Sequence, residues 1–289
     1  MLISPDAIRN PVAAGRFYPD DPSDLRDQIQ KCIDEVEEES IDGHLLALVA
    51  PHAGYAFSGP TAAAAFKCLA GRRFDMVFVL SPSHYDSFQG VSVYTGAGYR
   101  TPLGLVPIDQ VCVQSLVHHA PDVFQASDLG HREEHGIEVE LPFLQTLLHP
   151  GWQLVPIVMA ERSAMICRRT AEAIQSVSEG RKTLIVASSD LYHGYEYEAC
   201  QISDKHTLQQ IERLDPDAFI RGLEAGACQA CGGGPIAVAM HIACQNGPCL
   251  TKSLAHITSA DITGRRSGYI VGYGAVMMYK EKEGHDGLE

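Results

Sequence analysis

Three short apolar runs, each cut off by small and polar residues, limit what this chain can fold into. They are HLLALVAPHAGY from residue 44, FDMVFVLSPSHY from residue 74 and TLIVASSDLYHGY from residue 183. A continuous run of Val, Ile and Leu without polar alternation fits a central strand covered on both faces, not a strand with one wet side. WQLVPIVM, from residue 152, is a further strand of this kind. Helical spacing marks the stretches between, GPTAAAAFKCLA, DQVCVQSLVHHA and RSAMICRRTAEAIQSV. Ahead of them, DPSDLRDQIQKCIDEVEEE reads as an amphipathic helix with Ser23 as its N-cap. Alternating strands and helices predict an α/β fold, a single domain with a central, mainly parallel mixed β-sheet flanked by helices. In the C-terminal third, DPDAFIRGLEAGA and GPIAVAMHIACQNG read as helices. CLTKSLAHITSA and SGYIVGYGAVMMY read as strands that extend the sheet antiparallel.

Composition narrows the functional classes. The 289 residues, 45% hydrophobic, suffice for one large core, and no linker or repeat divides them, so residues 1–289 are taken as one domain with a loose tail at about 280–289. Thirty-six acids against 22 bases give a net charge of −14, which repels a phosphate backbone and argues against nucleic acid as a partner. No run has the length and apolarity of a membrane helix, and the start MLISPDAIRNPV has neither a basic leader nor a long apolar segment, so the expectation is a cytoplasmic protein with no membrane partner. Nine cysteines, an odd number, fit buried thiols with one functional member better than a disulfide framework.

In an open α/β sheet, ligands bind beyond the carboxyl ends of the strands. The three runs end in His52, in His84 and in Asp190 with His193, so parallel pairing would gather imidazoles at one rim. A metal is the natural reason to gather them, since neutral imidazole binds Zn, Fe or Cu. The candidates for a third ligand are Asp190, Glu134, Glu138 and Cys231. Cys231 stands just before a helix predicted to open at the glycines of CGGGPI, where a helix N-terminus would lower the thiol pKa; a small buried thiol in a tight turn is the alternative. Cys228-x-x-Cys231 has no second pair to complete a zinc knuckle, and the glycine run matches no nucleotide-binding pattern.

HREEH, residues 131–135, matches the spacing of an inverted zinc protease site. Pro142 belongs in the first turn of the helix EVELPFLQTLLH, so that helix starts near residue 138 and His131 and His135 precede it, without the helical alignment a protease needs. Peptidase chemistry is therefore set aside. A hydrolase built on Ser189 is set aside as well, because Ser189, Asp190 and His193 lie too close in sequence for a triad and the G-x-S-x-G elbow is missing.

NPVAAGRFYP, APHAGYAFSGP, SPSHY, YRTPLG, EEHGIEVELPFLQ, SSDLYHG, CGGGPI and SGYIVGYGAVMMY follow one another in this chain. In that order, over nearly the whole length, they resemble the Memo family, including its prokaryotic branch known as AmmeMemoRadiSam system protein B. The resemblance implies the fold of the class III (LigB-type) extradiol dioxygenases, which are non-haem Fe(II) enzymes. It further implies His52, His84 and Cys231 as metal ligands, with Asp190, His193 and His135 as catalytic or pocket residues; His131 has no part in the pattern. A thiolate in place of the dioxygenases' carboxylate departs from their ligand set and widens the metal choice from Fe(II) to Cu or Zn.

The implied function is a mononuclear, redox-capable metal site acting on a small molecule. His193 would be general acid or base, because imidazoles titrate near neutrality, and Asp190 would orient an imidazole or a water. Tyr55 and Tyr85 are candidates to line the pocket, with packing the alternative for each. The second reading is a peptide- or protein-binding module in which the metal is structural or vestigial. By the resemblance its partners include radical-SAM and AMMECR-type proteins, and Arg100, Arg265 and Arg266 are candidate anion contacts or plain solvated surface.

Overall fold

Four runs of buried residues lie side by side at the centre of a mixed sheet in the computed structural model, which describes residues 3–37, 39, 41 and 43–281. The strands are β1 (Ile8–Arg9), β2 (Gly43–Ala50), β3 (Met76–Pro82), β4 (Val91–Val93), β5 (Gly98–Thr101), β6 (Gly104–Pro107), β7 (Phe124–Ala126), β8 (Gln153–Met159), β9 (Thr183–Ser188), β10 (His193–Gly194), β11 (Leu250–Thr258) and β12 (Ile270–Glu281). The helices are α1 (Pro22–Asp34), α2 (Tyr55–Lys67), α3 (Gln110–His119), α4 (Leu141–Leu147), α5 (Ala164–Val177), α6 (Tyr197–Glu212), α7 (Pro216–Glu224), α8 (Gly233–Gln245) and α9 (Ser259–Thr263), with a short 3-10 turn at Glu138–Glu140.

The main sheet runs β10-β12-β2-β9-β3-β8-β4-β7, with β11 paired to β12. Parallel pairing holds the centre, β2 to β9, β9 to β3 and β3 to β8. Antiparallel pairing adds β12 beside β2 and β11 beside β12, as the C-terminal strand pattern predicts. Every residue of β3 is buried, which is why its sequence shows no polar alternation. α2 packs on β2 and β12 and is joined by α1 and α4; α8 packs on β9, β2 and β3 and is joined by α5 and α7. The α/β architecture is thus the one the sequence predicts.

Local details differ. α1 is capped by Asp21 and not by Ser23, since the Asp21 carboxylate accepts from the Ser23 and Asp24 N–H groups, and Pro22 takes the first helical position. α2 begins at Tyr55, before the stretch that reads as helical, and carries Pro60 inside it. The short strands β4 and β7, and the separate sheet β1-β5-β6, are too brief to leave a periodic signal. Of the tail expected to be loose, residues 280–281 belong to β12 and residues 282–289 lie outside the described residues. Among the described residues, no helix is long and apolar enough to cross a membrane.

Candidate metal centre

The sheet order places β9 between β2 and β3, so the loops after β2 and β3 flank the carboxyl end of β9. His52 follows β2, His84 follows β3, and Ser188 ends β9 between them. His135 arrives from the loop between β7 and the 3-10 turn. His52, His84 and His135 each offer a ring nitrogen, and these atoms all lie within 4.8 Å of one another; His52 is buried, His135 intermediate and His84 exposed. The cluster could hold a metal ion.

Whether the side chains suit a metal turns on which nitrogens remain free. His52 Nδ1 lies 2.8 Å from Ser188 Oγ and His84 Nδ1 lies 2.8 Å from Glu134 Oε1, so each ring is tied by one nitrogen and offers the other. A ligating histidine held through its second nitrogen by a carboxylate or hydroxyl is the usual metal-site arrangement. Burial, reinforced by the charge of His84, pushes His52 down to about 3, and burial with the charge of His52 does the same to His135. Both rings therefore stay neutral at ordinary pH, the form that binds metal. Glu134 is pulled the other way: burial raises its carboxyl, but the hydrogen bond and charge of His84, then His135 and the Gly136 N–H, outweigh this and hold it at about 2. The donor set fits a metal ion.

Cys231 joins the same rim. Its Sγ lies 3.2 Å from His52 Nε2 and accepts from the Asp190 N–H at 3.2 Å. α8 opens just after it, as predicted, with Gly232 as N-cap. A Cβ on Gly232 would stand 2.3 Å from the Ser188 carbonyl oxygen, so only glycine lets this loop close on the end of β9. The expected lowering of the thiol pKa is overturned: burial, then the neighbouring Asp190, pushes Cys231 up to about 12, and desolvation outweighs the helix terminus.

The other predicted residues divide. Asp190 is buried and accepts from the backbone N–H of His52 at 2.9 Å, so it fixes the main chain of that residue and touches no imidazole through this bond. Burial, tempered by His193, raises its carboxyl to about 6. His193 is exposed on β10 with Nδ1 3.0 Å from the Leu191 carbonyl, near enough for its charge to bear on His52 and Asp190. Tyr85 is exposed, its hydroxyl 3.4 Å from His135 Nδ1, whereas Tyr55 is buried and donates to the Val139 carbonyl as a packing residue. Ser189 is buried, donating to the Asp190 carbonyl oxygen and accepting from the Gly232 N–H, so its hydroxyl braces the Cys231 loop. Cys228 is buried against Gly222. Arg266 lies over the Tyr197 ring, and Arg100 and Arg265 are exposed.

Of the protease-like pair, only His135 reaches the cluster. His131 is fully buried with Nδ1 2.6 Å from the Tyr99 hydroxyl. Arg9 decides this placement: it donates to the carbonyls of His131 and Glu134 and pairs with Glu138, so one guanidinium pins both ends of the loop. Phe17, from the same N-terminal segment, packs on His135 with ring centroids 4.5 Å apart. Sequence reading singled out neither Arg9 nor Ser188, because their roles depend on partners far away in the chain.

A family profile described as "Memo-like protein" matches residues 9–277. A MEMO1 family protein of Nitrosopumilus maritimus is 32% identical over 275 residues, covering 93% of this chain and 98% of the relative. MEMO1 family proteins of Methanopyrus kandleri and Aeropyrum pernix are each 36% identical, over 279 and 284 residues, covering 93% of this chain and 98% and 99% of theirs.

Proposed function

The chain belongs to the Memo family, and from that premise we propose that it is a metal-binding protein with one mononuclear, redox-capable site, iron favoured over copper or zinc, acting on a small molecule. The observation that carries this reading is the convergence of three imidazoles within 4.8 Å, with the Cys231 sulfur 3.2 Å from one of them. His52, His84 and Cys231 are the ligands in this proposal. Two donors on one tetrahedral ion stand roughly 3.5 Å apart given metal–ligand bonds of about 2.0–2.3 Å, a spacing close to that of His52 and Cys231. His135, whose ring nitrogen lies within 4.8 Å of those of His52 and His84, would be the third imidazole beside that ion.

A bound iron would supply redox-capable Lewis-acid chemistry towards a small ligand. The protein's own contribution is positional. Glu134 and Ser188 orient His84 and His52, Asp190 fixes the His52 backbone, and Cys231 must release its thiol proton to bind. His193, with Nδ1 engaged by the Leu191 carbonyl, keeps Nε2 for proton exchange with a bound molecule. The kinship with extradiol dioxygenases belongs to this proposal, and ring cleavage is its most specific form.

Metal analysis of anaerobically purified wild type beside His84→Ala, Cys231→Ala and His135→Ala tests the ligand set. The expected result is loss of stoichiometric metal in the first two and retention with weaker binding in the third. Full metal in Cys231→Ala with loss in His135→Ala would make the three histidines the ligand set. A second reading, a peptide-binding crevice, draws on the exposed Tyr195 and Tyr269, which pack on each other beside His193. Binding of peptides with no turnover of catechols by iron-loaded protein under oxygen would favour it, and radical-SAM or AMMECR-type proteins are then its partners.

A further inference from the structure

Behind His52 the hydrogen bonds form a chain that can be counted proton by proton. Ser188 Oγ has three neighbours: His52 Nδ1 at 2.8 Å, the Gly136 carbonyl oxygen at 2.7 Å and Glu140 Oε1 at 2.7 Å. A serine hydroxyl has one proton to donate and two lone pairs to accept with. The Gly136 carbonyl can only accept, so the proton of Ser188 goes there, and both other neighbours must donate. His52 then carries its proton on Nδ1, and Glu140 carries one on Oε1. Were Glu140 ionised, two acceptors would compete for a single proton.

The surroundings of Glu140 agree. It is 1% exposed, its Oε2 has no hydrogen-bond partner among the described residues, and Ser188 alone bonds its side chain there. An isolated buried carboxylate is costly, whereas a buried neutral acid that donates is not. Burial, followed by the nearby Asp190, raises this carboxyl well above its ordinary range despite the Ser188 bond.

We propose that Glu140 is a positioning residue for His52: a neutral carboxylic acid that, through Ser188, locks the Nδ1–H tautomer and turns the Nε2 lone pair to the rim. Its importance rests on the reading of the rim as a metal centre, although the hydrogen-bond chain itself does not. Glu140 touches neither the ion nor its ligands through any bond described; it acts through Ser188.

The test uses the full chain, first without metal. Infrared difference spectra of wild type against Glu140→Gln should show the carbonyl stretch of a protonated carboxylic acid that the variant lacks, and nitrogen NMR should find His52 as the Nδ1–H tautomer. In Glu140→Leu and Ser188→Ala the tautomer should shift towards a mixture, and zinc affinity should fall about tenfold or more, as for other groups that orient a ligand from behind. Glu140→Gln, whose amide can still donate, should rescue both. Loss of a carboxylate band in place of the acid band would overturn the proposal, as would an unchanged His52 tautomer in Ser188→Ala, which remains informative if Glu140→Leu does not fold. Failure of wild type to bind zinc would count against the metal reading alone, while the metal-free spectra still decide the role of Glu140.

Discussion

The rim of imidazoles and the polar belt around Glu138 both draw on the segment between β7 and α4, His135 serving the one and Glu138 the other, and they solve opposite problems. In the belt, Glu138 accepts from Arg9, from the Val12 and Ala13 N–H groups at 2.9 and 2.8 Å and from the Tyr18 hydroxyl at 2.5 Å, so a buried charge is matched at both oxygens. In the rim, His52 and His84 are each tied at Nδ1 by an oxygen and turn Nε2 elsewhere, that of His52 meeting, among the described residues, only the weakly bonding Cys231 sulfur at 3.2 Å. A saturated cluster gives a loop a fixed shape, while an unsaturated one has capacity for a ligand. The difference teaches that Glu134, Glu138 and Glu140, within seven positions of one another, do three kinds of work: one holds the His84 imidazole, one closes an ion pair with Arg9, and one, buried, is bonded among the described residues by Ser188 alone.

The comparison breaks most severely in the belt. Arg9→Ala leaves the fully buried Glu138 without its cation and should destabilise the protein by about 3–5 kcal/mol in urea titration. A cost near that of an exposed surface pair would show that the belt does not hold the loop. In the rim, Glu134→Gln keeps the shape but weakens the hold on His84. It should lower zinc affinity by roughly 10–100-fold in competition with a chelator while changing the metal-free urea midpoint far less than Arg9→Ala does.

The smallest effect concerns His131, which burial holds down to about 3 against an unfolded value near 6.5. A depressed pKa means that the unfolded chain takes up the proton first, so the stability present above pH 6.5 is lost as the pH falls towards 3. Between pH 7 and 5.5 this amounts to about 1 kcal/mol. Urea midpoints of wild type and His131→Phe should therefore converge or cross as the pH drops through that window, and parallel curves would show that His131 is protonated without penalty.

How much of this was legible in the sequence differs between the two regions. His52, His84, Asp190 and His193 could be placed at strand ends because apolar runs closed by small polar residues are a local signal. Cys231 could be placed before a helix for the same kind of reason. The belt gave no such signal, since Arg9 and Glu138 meet across 129 positions and neither stands in a periodic pattern. HREEH shows the limit most clearly: its spacing treats His131 and His135 alike, and the prediction that they precede the helix holds, yet nothing local says which one reaches the rim.

The sequence by itself determined the layered α/β build and the gathering of histidines at the carboxyl ends of parallel strands, because burial on both faces writes itself into consecutive residues. Only the tertiary structure decided that His135 stands in the cluster while His131 is sealed against Tyr99, and that the half-buried Cys231 thiol stands beside His52. Those outcomes depend on hydrogen bonds and desolvation between segments far apart in the chain, and such energies have no counterpart in the pattern of neighbours along it.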